Sequence, residues 1–471
     1  MERRASDVDA ARAVRPSTYF FGALGGLLFG YDLGIIAGAL LFLGPHFHLG
    51  SFSTGEVTSS LLVGAMVGAL LCGPVTDRIG RRRVMLSAAT LFGACAIGDA
   101  LAPTLFWLLF FRAFMGLAVG GISVTVPVYL AEIAPARARG SLAGLNQLMI
   151  SIGILVAYLV SLALKDGGHW RWMLGLAAVP AALLLAGTWF QPESPRWLVR
   201  KGREQEARAV LSASRTPEEL DAEIAEIRRI NEAQSSTRLG DLLADPRLRR
   251  LLAIGGGLAL LQQICGINTI IYYAPTILTN IGYGTSSAII ANAGLGGLTV
   301  AVTLVMLLVV VDRIGRRAPL ILGALGMAGA MALLAVLFFS TGLNNGGATG
   351  WRTIFALARF KTSYSLSWGG LVWIMLGEIF PLRARGPAMG VATFVNWGGN
   401  FLVALLFPTL LGTGTGTVFV LFGALCLVAC AFAYTWIPET KGASLEQLEQ
   451  DLGVAEGGAR RAPGAAAVPS A

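Results

Sequence analysis

Long apolar runs punctuate the sequence without alternating, and two of them, Leu320–Phe339 and Phe419–Trp436, hold no charged residue at all. Runs of this length match bilayer-crossing α-helices of roughly 20 residues, not barrel strands of roughly 10. A backbone in lipid has no water to bond, so it must close its own hydrogen bonds as helix or barrel. Composition points the same way: 55% of residues are hydrophobic, 13% are charged and the mean hydropathy is +0.67. A soluble chain carries about a quarter charged residues. The fold class expected is an all-α membrane protein.

Apolar stretches fall near 18–43, 56–76, 84–103, 105–131, 141–165 and 171–190, then near 250–282, 286–311, 318–341, 351–379, 386–412 and 416–436. Twelve spans divided by one polar stretch imply two six-helix halves. The expected divisions are an N-terminal tail 1–17, a first half 18–190, a helical linker 191–249, a second half 250–436 and a tail 437–471. In the linker, Ser194-Pro195 and Thr216-Pro217-Glu218-Glu219 read as helix starts, the second with capping-box spacing. Leu220, Ile224 and Ile227 then form an apolar stripe among charges. The Gly-, Ala- and Pro-rich tail from Gly453 reads as disordered.

The net charge of +9 is not a nucleic-acid signal, because of where the charge sits. All but six of the 36 Lys and Arg lie in segments that an inside start makes cytoplasmic; the exceptions are Arg112, Lys165, Arg171, Arg352, Arg359 and Lys361. This asymmetry orients a membrane protein with both termini in the cytoplasm. Met1–Thr18 is polar and basic with no cleavable signal, so the first span is expected to be retained. Cys72, Cys95, Cys265, Cys426 and Cys430 all sit in apolar spans without metal-ligand spacing and read as packing residues. His46, His48 and His169 fall in predicted outer loops, away from any buried proton path. Neither metal nor cofactor is expected.

Three motifs recur. Asp77-Arg-Ile-Gly-Arg-Arg82 returns as Asp312-Arg-Ile-Gly-Arg-Arg317, and Glu132-Ile-Ala-Pro-Ala-Arg-Ala-Arg139 as Glu378-Ile-Phe-Pro-Leu-Arg-Ala-Arg385. Pro192-Glu193 returns as Pro438-Glu439. Each falls on the same side of corresponding spans, so the halves are parallel repeats, an arrangement that places binding sites between them near mid-membrane. Asp77, Arg78, Glu132, Arg139, Asp312, Arg313, Glu378 and Arg385 are read as a cytoplasmic gate whose salt bridges latch the halves together. The plainer reading is orientation charge; repetition of carboxylate with arginine in both halves favours the latch.

The run Gly73-Pro-Val-Thr-Asp77-Arg78-Ile-Gly80-Arg81-Arg82, its second copy, and Pro192-Glu193-Ser194-Pro195-Arg196-Trp197-Leu198 resemble signatures of the major facilitator superfamily, sugar porter branch. The resemblance covers residues 18–445 and is nearest to bacterial proton-linked sugar symporters. It implies twelve transmembrane helices in two parallel repeats, and a monomeric importer of a monosaccharide, a hexose such as glucose, coupled to protons in the cell membrane. No bond is made or broken by such a protein, so it is not expected to be an enzyme. The readings weighed against it are a facilitative uniporter and a non-transporting sugar sensor on the same scaffold.

Asp32 lies about 20 Å along the first span. Gly22, Gly26, Gly30, Gly34 and Gly38 form an i,i+4 stripe suited to close packing, and Asp32 falls on the face opposite it. An intramembrane carboxylate is costly to keep; Arg112, well inside span four, is its natural partner. In proton-coupled sugar porters the matching pair forms the proton switch, so Asp32 and Arg112 are the expected coupling residues. The alternative is a static ion pair.

A sugar offers hydroxyls that donate and accept, which amides match, and a C–H face that aromatic rings pack against. Gln262, Gln263 and Asn268 lie in span seven around Gly266, which with Pro275 suits an interrupted helix bringing Gln263 and Asn268 to one cavity. By resemblance, Gln147, Trp373, Asn396 and Trp397 supply further sugar contacts, and Tyr272 and Tyr273 an outer gate. A lone amide or Trp would otherwise be helix–helix glue or an interface anchor. The chain departs from the family's pattern at Val300, usually Asn, and at Gly370, usually Pro. It departs again at Arg359 and Lys361, usually apolar; these either snorkel outward or lie before a helix that starts nearer Ser363.

Overall fold

The computed structural model describes residues 16–133, 139–213, 215–233, 239–310, 314–341, 348–381 and 384–439. The first half contains α1 (Pro16–Phe47), α2 (Ser51–Ile79), α3 (Arg81–Leu101), α4 (Leu105–Ile133), α5 (Arg139–Ala163) and the pair α6 (Trp170–Gly175) and α7 (Ala178–Trp189), which together make one span. The second half contains α12 (Pro246–Ile264), α13 (Ile267–Asn280), α14 (Thr285–Val305), α15 (Arg317–Thr341), α16 (Ala348–Ser365), α17 (Trp368–Ile379), α18 (Arg385–Thr413) and α19 (Thr415–Trp436). Between them lie the linker helices α8 (Pro195–Arg200), α9 (Glu204–Ser212), α10 (Pro217–Ala233) and α11 (Leu239–Ala244).

Among the described residues, eleven spans are long and apolar enough to cross a bilayer. The twelfth crossing is α16 with α17, which misses that description because it is broken and carries charge. The break falls at Leu366–Ser367, where Ser367 leaves helical geometry (φ −138°, ψ −92°). The hinge is therefore kept without the proline, a little ahead of Gly370. Helix α16 is continuous through Arg359 and Lys361, which excludes a start near Ser363.

Glycine sets the helix spacing in the first half. A Cβ at Gly30 would enter the Ile150 backbone of α5, and one at Gly34 or Gly38 would strike Ala157 or Ser161. The predicted stripe is thus the α1–α5 seam. Gly64, Gly116 and Gly120 do the same between α2 and α4. Bare backbones in contact gain dispersion in a solvent where apolar burial gives helices no drive to associate.

The halves meet through three helix pairs, α2 with α18, α5 with α14, and α1 with α13. Gly55 abuts the Leu405 backbone, Tyr158 covers Gly296, and Ser151 Oγ lies 3.1 Å from Thr303 Oγ1. In the linker, Thr216 and Glu219 form the predicted capping box, with bonds of 2.9 and 3.2 Å. Leu220 and Ile224 pack with Trp197, Leu198, Ala207 and Leu211 in a small separate core.

Candidate functional site

Span seven is interrupted where its sequence says. Gly266 takes φ +95°, a left-handed conformation that separates α12 from α13, and a Cβ there would press on Phe422 at 3.0 Å. The break turns Gln262, Gln263 and Asn268 into one cluster with Asn396 of α18. Gln262 Nε2 donates to the Trp368 carbonyl at 2.7 Å, and Gln262 Oε1 accepts from Asn396 Nδ2 at 2.7 Å. Gln263 Nε2 donates to Asn396 Oδ1 at 3.0 Å, and Asn268 Nδ2 donates to Gln263 Oε1. All four amides are buried. In this conformation they satisfy one another, as buried polar groups must.

The other predicted contacts are placed unequally around that cluster. Gln147 of α5 approaches Gly370, across the interface between the halves. Trp397 is buried edge-on to Phe29 at 5.4 Å, with an indole N–H that has no partner. Trp373 is 36% exposed and takes no part in the bonds described among the amides. Val300 is half-buried on α14. Trp368 and Asn400 were not singled out by sequence. Trp368 is wholly buried, and its Nε1 donates to the Leu320 carbonyl at 2.9 Å. Asn400 meets the Tyr272 hydroxyl at 3.2 Å.

Tyr272 and Tyr273 follow on α13, both buried, and Tyr273 donates to the Ala404 carbonyl at 2.8 Å. Tyr158 donates from the first half to the Ile271 carbonyl at 3.1 Å. The Tyr158 bond joins the two halves.

Asp32 and Arg112 are both buried, at 2% and 1% exposure, and the Arg112 charge acts on Asp32. No direct ion pair between them is described. Arg112 Nε donates instead to the Val57 carbonyl at 2.9 Å, and its Nη1 is buried without a partner. Two hydroxyls lie near this charge: Tyr272 lies in the field of both Asp32 and Arg112, and Tyr273 meets Thr58, next to Val57.

On the motif face the ion pairs among the described residues lie within each half and its linker. Arg81 Nη2 donates to Glu132 Oε1 at 3.1 Å and its Nε lies 3.1 Å from Oε2, while Asp77 pairs with Arg81 and with Arg200 of α8. Arg316 pairs with Glu378 at 3.2 Å. Every pair described at these motifs stays within one half and its linker, so no described ion pair joins the halves there. Arg78 is exposed, and Arg385 Nε donates to the Phe380 carbonyl at 3.2 Å. Arg139, Asp312 and Arg313 lie outside the described side chains.

What the repeats build is a bracket. Glu193 accepts from the N–H groups of Arg81, Arg82 and Ser194, at 2.9, 3.1 and 2.9 Å. Glu439 does the same for Arg316 and Arg317, at 2.9 and 3.1 Å. A carboxylate at the N-terminus of a helix meets its unpaired donors and the positive end of its dipole. Gly80 and Gly315, at φ +98° and +88°, have no Cβ because each carboxylate occupies that space.

Lys361 is buried, its Nζ has no hydrogen-bond partner, and it sits 5.4 Å over the Tyr158 ring. It does not snorkel outward. Arg359 is exposed on the outside of the bundle, near Gly329.

Two six-helix halves around a central amide cluster, with buried charge in the first half, define a polytopic transporter of the major facilitator type. The chain belongs to the sugar transporter family: the family described as "Sugar (and other) transporter" matches residues 18–452. The glucose transporter GlcP of Staphylococcus epidermidis is 43% identical over 435 residues, covering 92% of this chain and 96% of that one. The galactose-proton symporter of Escherichia coli K12 is 39% identical over 436 residues, covering 92% and 93%. Among solved structures, the xylose transporter XylE from E. coli in a partially occluded inward open conformation is similar at a TM-score of 0.80 and 29% identity, covering 91% of this chain and 99% of that one.

Proposed function

We propose that the protein imports a monosaccharide, a hexose, by proton-coupled symport with alternating access. Its motif face and both termini lie in the cytoplasm, and it works as a monomer in the cell membrane. The observation that carries this reading is the buried charge of Asp32 and Arg112 beside the two tyrosines that close the opposite face. Asp32 takes the proton, and its charge state decides how strongly it attracts Arg112. Arg112 in turn holds Val57, next to the Thr58 that Tyr273 meets, so protonation reaches the closing tyrosines within one turn of helix. Gln262, Gln263, Asn268 and Asn396 bind the sugar, with Gln147, Trp373 and Trp397 around them. The relatives support this reading, since one is named a glucose transporter and another a galactose-proton symporter.

Uptake of a panel of labelled monosaccharides into proteoliposomes, with and without an inward proton gradient, tests it. Accumulation above equilibrium that a protonophore abolishes is the expected result. Saturable uptake that never exceeds equilibrium identifies a uniporter, and sugar binding without flux identifies a sensor.

A further inference from the structure

Asp99 is the only acidic residue of α3, and it is completely buried one turn from the end of that helix. Neither of its carboxylate oxygens has a hydrogen-bond partner. Asp99 follows Gly98, which abuts the Phe111 ring next to Arg112 on α4, and the charges of Arg112 and of Asp32 of α1 act on it. Three buried ionisable groups from three helices therefore share one low-dielectric region, and the one cation among them, Arg112, has a free Nη1.

The other groups near Asp99 are accounted for. Cys95, one turn back on α3, feels the Asp99 charge. Arg171 of α6 donates to the Ala102 carbonyl at 3.2 Å and stacks 4.2 Å over Trp170. Helix α7 brings no charged residue.

We propose that Asp99 is a positioning residue of the proton site, a second carboxylate that shares Arg112 with Asp32 and balances the guanidinium while Asp32 holds its proton. The inference rests on the proton-coupled reading above. Its logic is charge balance. With one guanidinium and two carboxyls, the cluster is neutral only when one proton is present. That proton sits on Asp32 with Asp99 facing Arg112, or on Asp99 with Asp32 facing Arg112. A buried net charge is expensive in either direction. Asp99 thus lets Asp32 change protonation state without leaving Arg112 uncompensated, and the absence of an Asp32–Arg112 ion pair is what a shared cation produces.

The sign of the test follows. In Asp99→Asn the cluster is neutral with Asp32 ionised against Arg112, so Asp32 holds its proton less firmly. Gradient-driven uptake then needs a more acidic outside, and its pH midpoint moves down by about one unit. Asp99→Glu restores the wild-type midpoint. Asp99→Ser, which removes the carboxylate with a smaller group, moves it as Asn does and serves if the Asn variant fails to fold. Sugar-for-sugar exchange in the same vesicles reports folding and sugar binding. A coupled wild type with an unmoved midpoint in either folded variant overturns the role of Asp99 alone. A wild type with no gradient-driven accumulation overturns the proton-coupled reading, and Asp99's role falls with it.

Discussion

Arg112 is bonded to the carbonyl of Val57, and not to the carboxylate of Asp32 that shares its buried environment. A guanidinium has five donors, and one of its terminal nitrogens is free here. The geometry leaves Arg112 able to re-bond without first breaking an ion pair. Protonation of Asp32 then changes an attraction, not a clamp.

Asp32→Asn removes that attraction permanently. The variant is expected to lose gradient-driven accumulation entirely, with internal sugar levelling at the external concentration. Uptake into proteoliposomes at acid and neutral outside pH checks this. Accumulation by Asp32→Asn equal to that of wild type would falsify the coupling assignment.

The amide cluster predicts a different kinetic signature. Gln263 bonds Asn396 and receives Asn268, so its removal deletes ligand contacts and leaves two buried amides partly unsatisfied. Such losses cost about 1–3 kcal/mol each, or roughly tenfold or more in affinity. Gln263→Ala is expected to raise the half-saturation concentration of the transported sugar at least about tenfold. Concentration-dependent exchange measures it directly.

How much of this was readable beforehand depended on how local each feature is. The α1 stripe, the Gly266 break, the span-seven amides and the linker capping box are short-range patterns, and each appears where spacing placed it. Asp99 was overlooked because nothing in its own segment gives it a role; only packing brings α3 against α4 and toward Asp32. The partners of the motif-face charges are hard to read from sequence for a related reason. Repeated charges predict that salt bridges form, but whether they join two halves or tie one together is tertiary information. The span-ten hinge moved because a helix break can be set by Ser367 and a Gln262 side chain as well as by a proline.

The bracket glutamates are expected to matter for each half separately. Glu193→Ala strips acceptors from three backbone N–H groups at the start of α3 and of α8, and Glu439→Ala strips the same from the start of α15. Each is expected to cost about 1–3 kcal/mol, seen as a lower unfolding temperature in detergent. The two sites cap helices of different halves and the donors described for each differ, so the double variant should lose close to the sum.

Gly30→Ala is the sharpest test of the α1–α5 seam. The added methyl group enters the Ile150 carbonyl, which is backbone and part of a helix, so it has no rotamer through which to yield. Helices must separate, and overpacking of this kind costs about 1–3 kcal/mol. A clear fall in folded yield and melting temperature is expected. Gly121→Ala is the matched control, because nothing lies within 4 Å of a Cβ there.

Lys361 runs the other way: its replacement should stabilise. A lysine at the centre of a membrane helix costs about 2.5–3.5 kcal/mol on insertion scales. The Tyr158 ring returns about 0.5–2 kcal/mol of that, and no hydrogen bond reaches the ammonium group. Methionine keeps the unbranched stem and most of the volume, fills irregular space well and has no charge to desolvate. Lys361→Met is therefore expected to gain on the order of 1 kcal/mol, read as a higher melting temperature in detergent. If Lys361→Met instead melts lower and transports less, the ammonium group must hold a partner in another conformation of the cycle. Melting and uptake measured on one preparation separate the two outcomes.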